Sequence, residues 1–158
     1  LSGNSATCTT SGLDAGNHTV SAEYAGATAA PGFRGSTGTL AHFVSTKTLT
    51  ITADNASKTY GTTLTFGGTE FTVTGLSGSD SVTSVTLAST GAAATASVAG
   101  SPYAIVPSAA VGTGLSNYSI NYVNGALTVG KKALTVKADD KSTTYGTAPT
   151  FTVSVSVW

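Results

Sequence analysis

Leu49-Thr50-Ile51-Thr52-Ala53-Asp54-Asn55-Ala56-Ser57-Lys58-Thr59-Tyr60-Gly61-Thr62 occurs twice in this chain. It returns as Leu134-Thr135-Val136-Lys137-Ala138-Asp139-Asp140-Lys141-Ser142-Thr143-Thr144-Tyr145-Gly146-Thr147. In both copies apolar residues alternate with threonine or lysine, a period of two. That period predicts a half-buried strand with Leu49, Ile51 and Ala53 on the core side, and Leu134, Val136 and Ala138 likewise. The following Asp-Asn or Asp-Asp pair predicts a turn, because these short side chains bond to their own backbone. Each Tyr-Gly then reads as a ring laid on the core edge and a glycine at an unusual dihedral. The spacing is that of a domain, so the repeat predicts modules in tandem rather than a solenoid.

Outward from the first copy, strands are expected over 71–74 and 82–87. A short strand over 103–106, bracketed by Pro102 and Pro107, is expected at a sheet edge. Tyr118, Ile120 and Tyr122 alternate with Ser119 and Asn121. Asn124-Gly125 then predicts a two-residue type I′ turn, with 126–129 returning as the partner strand. Upstream, 6–10, 18–24 and 39–44 read as strands. Alternation places Cys8 on an inner face, and Phe33 is expected to plug a loop into the core. Downstream, Phe151, Val153, Val155 and Val157 alternate with Thr152, Ser154 and Ser156. They form a strand with no sheet of its own and are the candidate inter-chain strand, because an orphan edge invites pairing with another chain.

The pattern Ala-Asp-(Asn/Asp)-x-Ser-x-Thr-Tyr-Gly resembles the opening of the MBG domain, a β-rich module found in tandem in large bacterial surface proteins and adhesins. The run from Gly114 to Val129 resembles that module's closing hairpin. The resemblance covers Lys47 to Gly130 and the first part of a second copy from Lys131. Leu13-Asp14-Ala15-Gly16-Asn17-His18-Thr19-Val20 resembles the second half of a bacterial Ig-like repeat. These resemblances imply an all-β chain of small tandem sandwiches with nearly no helix. Residues 1–46 would be a partial Ig-like domain, 47–130 a complete MBG-like domain and 131–158 the first strands of another. Linkers as short as Gly130-Lys131-Lys132 predict a semi-rigid succession of modules.

Composition narrows the function classes. The chain has 158 residues, of which 9% are charged, and a formal net charge of zero. A chain so neutral has no electrostatic claim on nucleic acid. It has no apolar run near the length of a helical membrane span. Its lack of methionine, with an opening that reads as mid-domain, predicts a processed or excised piece of a longer protein. One cysteine cannot form an internal disulfide.

The residues that chemistry would need are scattered. His18 and His42 lie in separate strands, outside any metal-binding spacing. With Glu23 and Glu70 as its two glutamates, the sequence argues against a glycosidase carboxylate pair. No Gly-x-Ser-x-Gly elbow or phosphate loop is present. Asp54-Asn55 and Asp139-Asp140 could offer oxygen ligands to calcium, but read first as solvated turns. Lys58, Asn121 and Glu70 could be cast as an isopeptide set. Asn17-His18-Thr19, Asn55-Ala56-Ser57 and Asn117-Tyr118-Ser119 match a glycosylation acceptor pattern. No catalytic, cofactor-binding or metal residues are therefore assigned, and no cofactor is expected.

The expected function is non-enzymatic: a structural and adhesive stalk module of an extracellular bacterial surface protein. Its partners would be neighbouring copies of itself or adjacent domains, with a host or surface glycan or protein as adhesion target. One alternative is a self-polymerising filament subunit, in which strand 151–157 completes a neighbour's domain. Another is a carbohydrate-binding module presenting Tyr103, Tyr118 and Tyr122.

Overall fold

The computed structural model describes residues 7–26 and 32–157. Strand accounts for 51% and helix for 4%, with no helix of seven or more residues among those described, so the fold is all-β and sandwich-like. In chain order the strands are β1 (Gly16–Tyr24), β2 (Ser36–Val44), β3 (Lys47–Ala53), β4 (Ala56–Thr59), β5 (Phe71–Thr74) and β6 (Ser81–Ala88). They continue as β7 (Tyr103–Thr113), β8 (Tyr118–Val123), β9 (Gly125–Gly130), β10 (Leu134–Ala138) and β11 (Val153–Val157). Among the described residues these form four sheets: β1-β2, β5-β3-β8, β4-β9-β7-β6 and β10-β11.

The chain divides into two compact units. One holds residues up to Ile51 with Val73–Ser84 and Ala110–Asn121; the other holds Thr52–Thr72, Val85–Ala109 and Tyr122 onward. The division passes through strands β3 and β5 to β8.

In the first unit, Leu49 and Ile51 on β3 have no exposed surface. Burying an aliphatic side chain of this size contributes about 1.5–3 kcal/mol, so these two positions anchor the unit. β1 and β2 form an antiparallel ladder from Gly16↔Val44 to Tyr24↔Ser36. Their alternation is as expected, but the apolar positions are not buried: Val20 and Leu40 remain exposed.

In the second unit the two-layer packing is visible directly. Ala53 at the end of β3 packs against Ile105 of β7 and Leu127 of β9, with Leu64, Phe66, Leu87 and Tyr103 around them. Strand β9 is the spine of its sheet, parallel to β4 and antiparallel to β7. Its residues Leu127 and Val129 are buried while Thr128 points outward, which is the period-two signature of one covered face.

Several expectations need correcting. Asn124-Gly125 does not close a hairpin. β8 belongs to the β5-β3-β8 sheet and β9 to the β4-β9-β7-β6 sheet, so the chain changes layer there. Neither residue has a positive φ, as a type I′ turn would require. The glycine is needed for space: a Cβ at Gly125 would sit 2.6 Å from the carbonyl oxygens of both Ala53 and Asp54. Asn55 Oδ1 accepts the Ala126 N–H at 2.8 Å and pins the crossing. Local turn chemistry cannot separate the two outcomes, because both place Asn-Gly between two alternating strands.

The short edge strand over 103–106 is in fact the eleven-residue β7, between β9 and β6 in its sheet. The pairing with β9 stops at Ile105, two residues before Pro107, so the proline interrupts no bond to that strand. Ala109 follows with a left-handed φ of 47°.

Cys8 lies in no strand and is exposed; Ala6, the start of that expected strand, lies outside the described residues. Phe33 is 73% exposed and plugs nothing, and Pro31 of the same loop also lies outside the described residues. The dihedrals of the repeated Tyr-Gly pair are as expected, with φ 89° at Gly61 and 86° at Gly146. The tyrosines diverge: Tyr60 is partly covered, whereas Tyr145 is wholly exposed.

Candidate functional site

One concavity gathers polar groups in the first unit. It has a volume of about 510 Å³ and is lined by Asp14, Lys47, Ser77, Asp80, Asn117 and Tyr118 among others. Asn117 precedes β8, at the end of a 3₁₀ turn over Leu115–Asn117. Its Oδ1 accepts the Ala15 N–H at 2.7 Å, and its Nδ2 donates to Asp14 Oδ1 at 3.0 Å. Tyr118 is buried; its hydroxyl donates to Asp80 Oδ2 at 2.7 Å and accepts the Ser77 N–H at 2.9 Å. Lys47 Nζ donates to Ser77 Oγ at 2.7 Å. These groups are engaged with one another in pairs that fasten loops, and no nucleophile is paired with a base. The groove is a junction that ties the Asp14–Ala15 loop beside β1 to the loops flanking β6 and β8. The two Asn117 bonds connect residues 102 and 103 positions apart.

The candidate inter-chain strand is not an orphan. Val153, Val155 and Val157 lie in β11, paired antiparallel to β10 with Val136↔Val155 and Leu134↔Val157 in register. Phe151 lies before the strand. The register places Leu134, Val136, Val153, Val155 and Val157 on one face, each 58–62% exposed, and Phe151 is 80% exposed. The half-burial expected from alternation is therefore absent here, because one apolar face has no covering layer among the described residues. Asp139 fastens this ribbon, accepting from Ser154 Oγ, and from Thr152 Oγ1 at 2.6 Å. Those hydroxyls, Ser154 first, hold its exposed carboxyl below the usual aspartate range.

The remaining candidates are accounted for locally. Asn55 is committed to Ala126 and Asp139 to its two hydroxyls. Among the described residues no group of three or more His, Cys, Asp or Glu could hold a metal. Lys58 Nζ donates to the carbonyls of Thr62, at 2.8 Å, and Ala93. Glu70 curls its carboxylate onto the Gly67, Gly68 and Thr69 N–H groups at 2.8–3.0 Å. Its pKa is lowered, first by the Gly67 N–H, then by its own, with burial opposing and Thr69 and Gly68 adding. The isopeptide roles of Lys58 and Glu70 are thus taken by other bonds, and Asn121 lies exposed in β8. Tyr103 donates its hydroxyl to Ser97 O at 2.9 Å. Tyr122 is half-buried.

One juxtaposition escaped the sequence reading. His18 of β1 stands directly opposite His42 of β2. Twenty-odd residues separate them in the chain, so no local spacing reveals the pair. Aligning the two alternating strands antiparallel would have done so.

No helix among the described residues is long and apolar enough to cross a membrane. Comparison with protein families matches residues 49–128 to the MBG domain (YGX type), and Tyr60-Gly61-Thr62 lies inside that range. MBG domains are typical of bacterial surface proteins. Neither a search of curated proteins nor one of solved structures returned a match. The match does not reach residues 1–46, where the Ig-like resemblance lies. With half of its residues inside that match and a layered all-β core beneath it, this chain belongs to the MBG domain (YGX type) family.

Proposed function

We propose that the chain is a non-enzymatic structural module of an extracellular bacterial surface protein, serving as a semi-rigid stalk that carries adhesive contacts outward. In this reading residues 1–46 are a partial Ig-like piece, 47–130 the complete module and 131–158 the start of the next. The observation that carries it is the Asp14–Asn117–Ala15 clamp. Only Ser45 and Thr46 separate β2 from β3, and the clamp adds side-chain bonds to that short connection. A stalk needs such a junction, because a two-residue link alone still leaves torsional freedom.

Spin labels on Thr39→Cys in β2 and Ser119→Cys in β8, with Cys8→Ser, test the clamp. Double electron–electron resonance is expected to give one narrow distance distribution that broadens with Asn117→Ala. A broad distribution before that substitution would contradict the stalk.

A second reading, a self-polymerising subunit, draws support from the exposed apolar face of β10 and β11. Its mark would be protection of the Val153–Val157 amides from hydrogen exchange as concentration rises. Free exchange at every concentration would remove it. Carbohydrate binding has less support, since the Tyr118 ring is buried and the Tyr103 hydroxyl is engaged.

A further inference from the structure

We propose that His18 and His42 form a cross-strand site for a late first-row divalent transition metal, with zinc(II) as the representative ion. Directly opposed residues of an antiparallel pair have Cβ atoms about 4.5–5.5 Å apart and share a face. His18↔His42 is such a pair. Two imidazoles at that separation can converge on one ion, and imidazole nitrogen is a ligand suited to zinc, copper and nickel.

The hydrogen bond at His18 fixes its chemistry further. Its Nε2 lies 2.7 Å from the carbonyl oxygen of Asp14. A carbonyl oxygen only accepts, so Nε2 carries a proton, and in the neutral ring Nδ1 keeps the lone pair. A ring whose other N–H is held by a backbone carbonyl is the arrangement found around metal-ligating histidines, where it sets tautomer and ring orientation. His42 is exposed, and its ring is accessible to an ion from solution.

The rest of that face carries no charge. Register places Gly16, Val20 and Ala22 with Leu40 and Val44 on it, while Glu23 lies on the opposite face. No lysine or arginine within β1 or β2 competes with the cation. Two protein ligands leave the remaining coordination positions to water. The ion would bridge β1 and β2, so binding would also tie the ribbon together.

The test is zinc(II) titration of the full chain carrying Cys8→Ser, since an exposed thiol binds the same ion. Isothermal calorimetry should show one site. Imidazole nitrogen NMR should show the His18 Nδ1 and a His42 nitrogen shifting together. His18→Ala and His42→Ala should each weaken binding about tenfold or more. His42 is exposed, so circular dichroism should show its variant folded. Equal affinity in the double variant, no binding at millimolar zinc, or a shift confined to one histidine would overturn the site.

Discussion

Leu49→Ala is expected to destabilise the module by about 3 kcal/mol, within the roughly 2–5 kcal/mol range of buried leucine truncations. Leu134→Ala, the same position of the second copy, should change stability by less than about 0.5 kcal/mol. The two leucines share a sequence context, Leu-Thr-(Ile/Val)-x-Ala-Asp. They differ in surroundings: Leu49 has no exposed surface and Leu134 is 60% exposed. Truncating the first leaves a cavity inside a packed layer. Truncating the second removes atoms that already face water. Urea denaturation followed through the amide NMR signals of β3 and of β10 measures each substitution in its own strand. Similar shifts from the two substitutions would mean that the copies are equally buried.

Gly125→Ala is the second large effect, expected at about 2 kcal/mol or more, as for other overpacked sites. The added methyl would lie 2.6 Å from the Ala53 and Asp54 carbonyl oxygens. Both are backbone atoms, so relief requires the end of β3 or the β8–β9 crossing to move. Gly130→Ala serves as the control, since its Cβ would meet only Lys58 O at 3.6 Å, an ordinary contact. Thermal melts of the two variants measure the difference. A Gly125→Ala protein as stable as Gly130→Ala would show that β8 and β9 do not change layers at this point.

Much of the architecture was legible in the alternation of apolar and polar residues. β3, β5, β6, β8 and β9 fall where that period placed them, because period-two burial is imposed by the pleat itself. What alternation cannot encode is which layer covers a strand. β3 and β10 read alike, yet only β3 has buried residues. The same blindness made Asn124-Gly125 look like a hairpin, although the glycine is there to let two backbones approach. Pro107 suggested an edge, but β7 simply outlasts its partner β9. At the junction groove, Asn117 read only as part of a glycosylation acceptor pattern. Its pairing with Asp14 depends on contacts 103 positions apart, which no local pattern carries. The His18–His42 pair was hidden for the same reason.

The account rests on one strand sequence being used in two environments, covered in β3 and open in β10. Residue-resolved amide hydrogen exchange on the dilute chain tests this most directly. Amides of Leu49, Ile51 and Ala53 should exchange slowly, close to the limit of global unfolding, whereas those of Leu134, Val136 and Ala138 should exchange far faster. Equal protection of the two sets, in either direction, would contradict it.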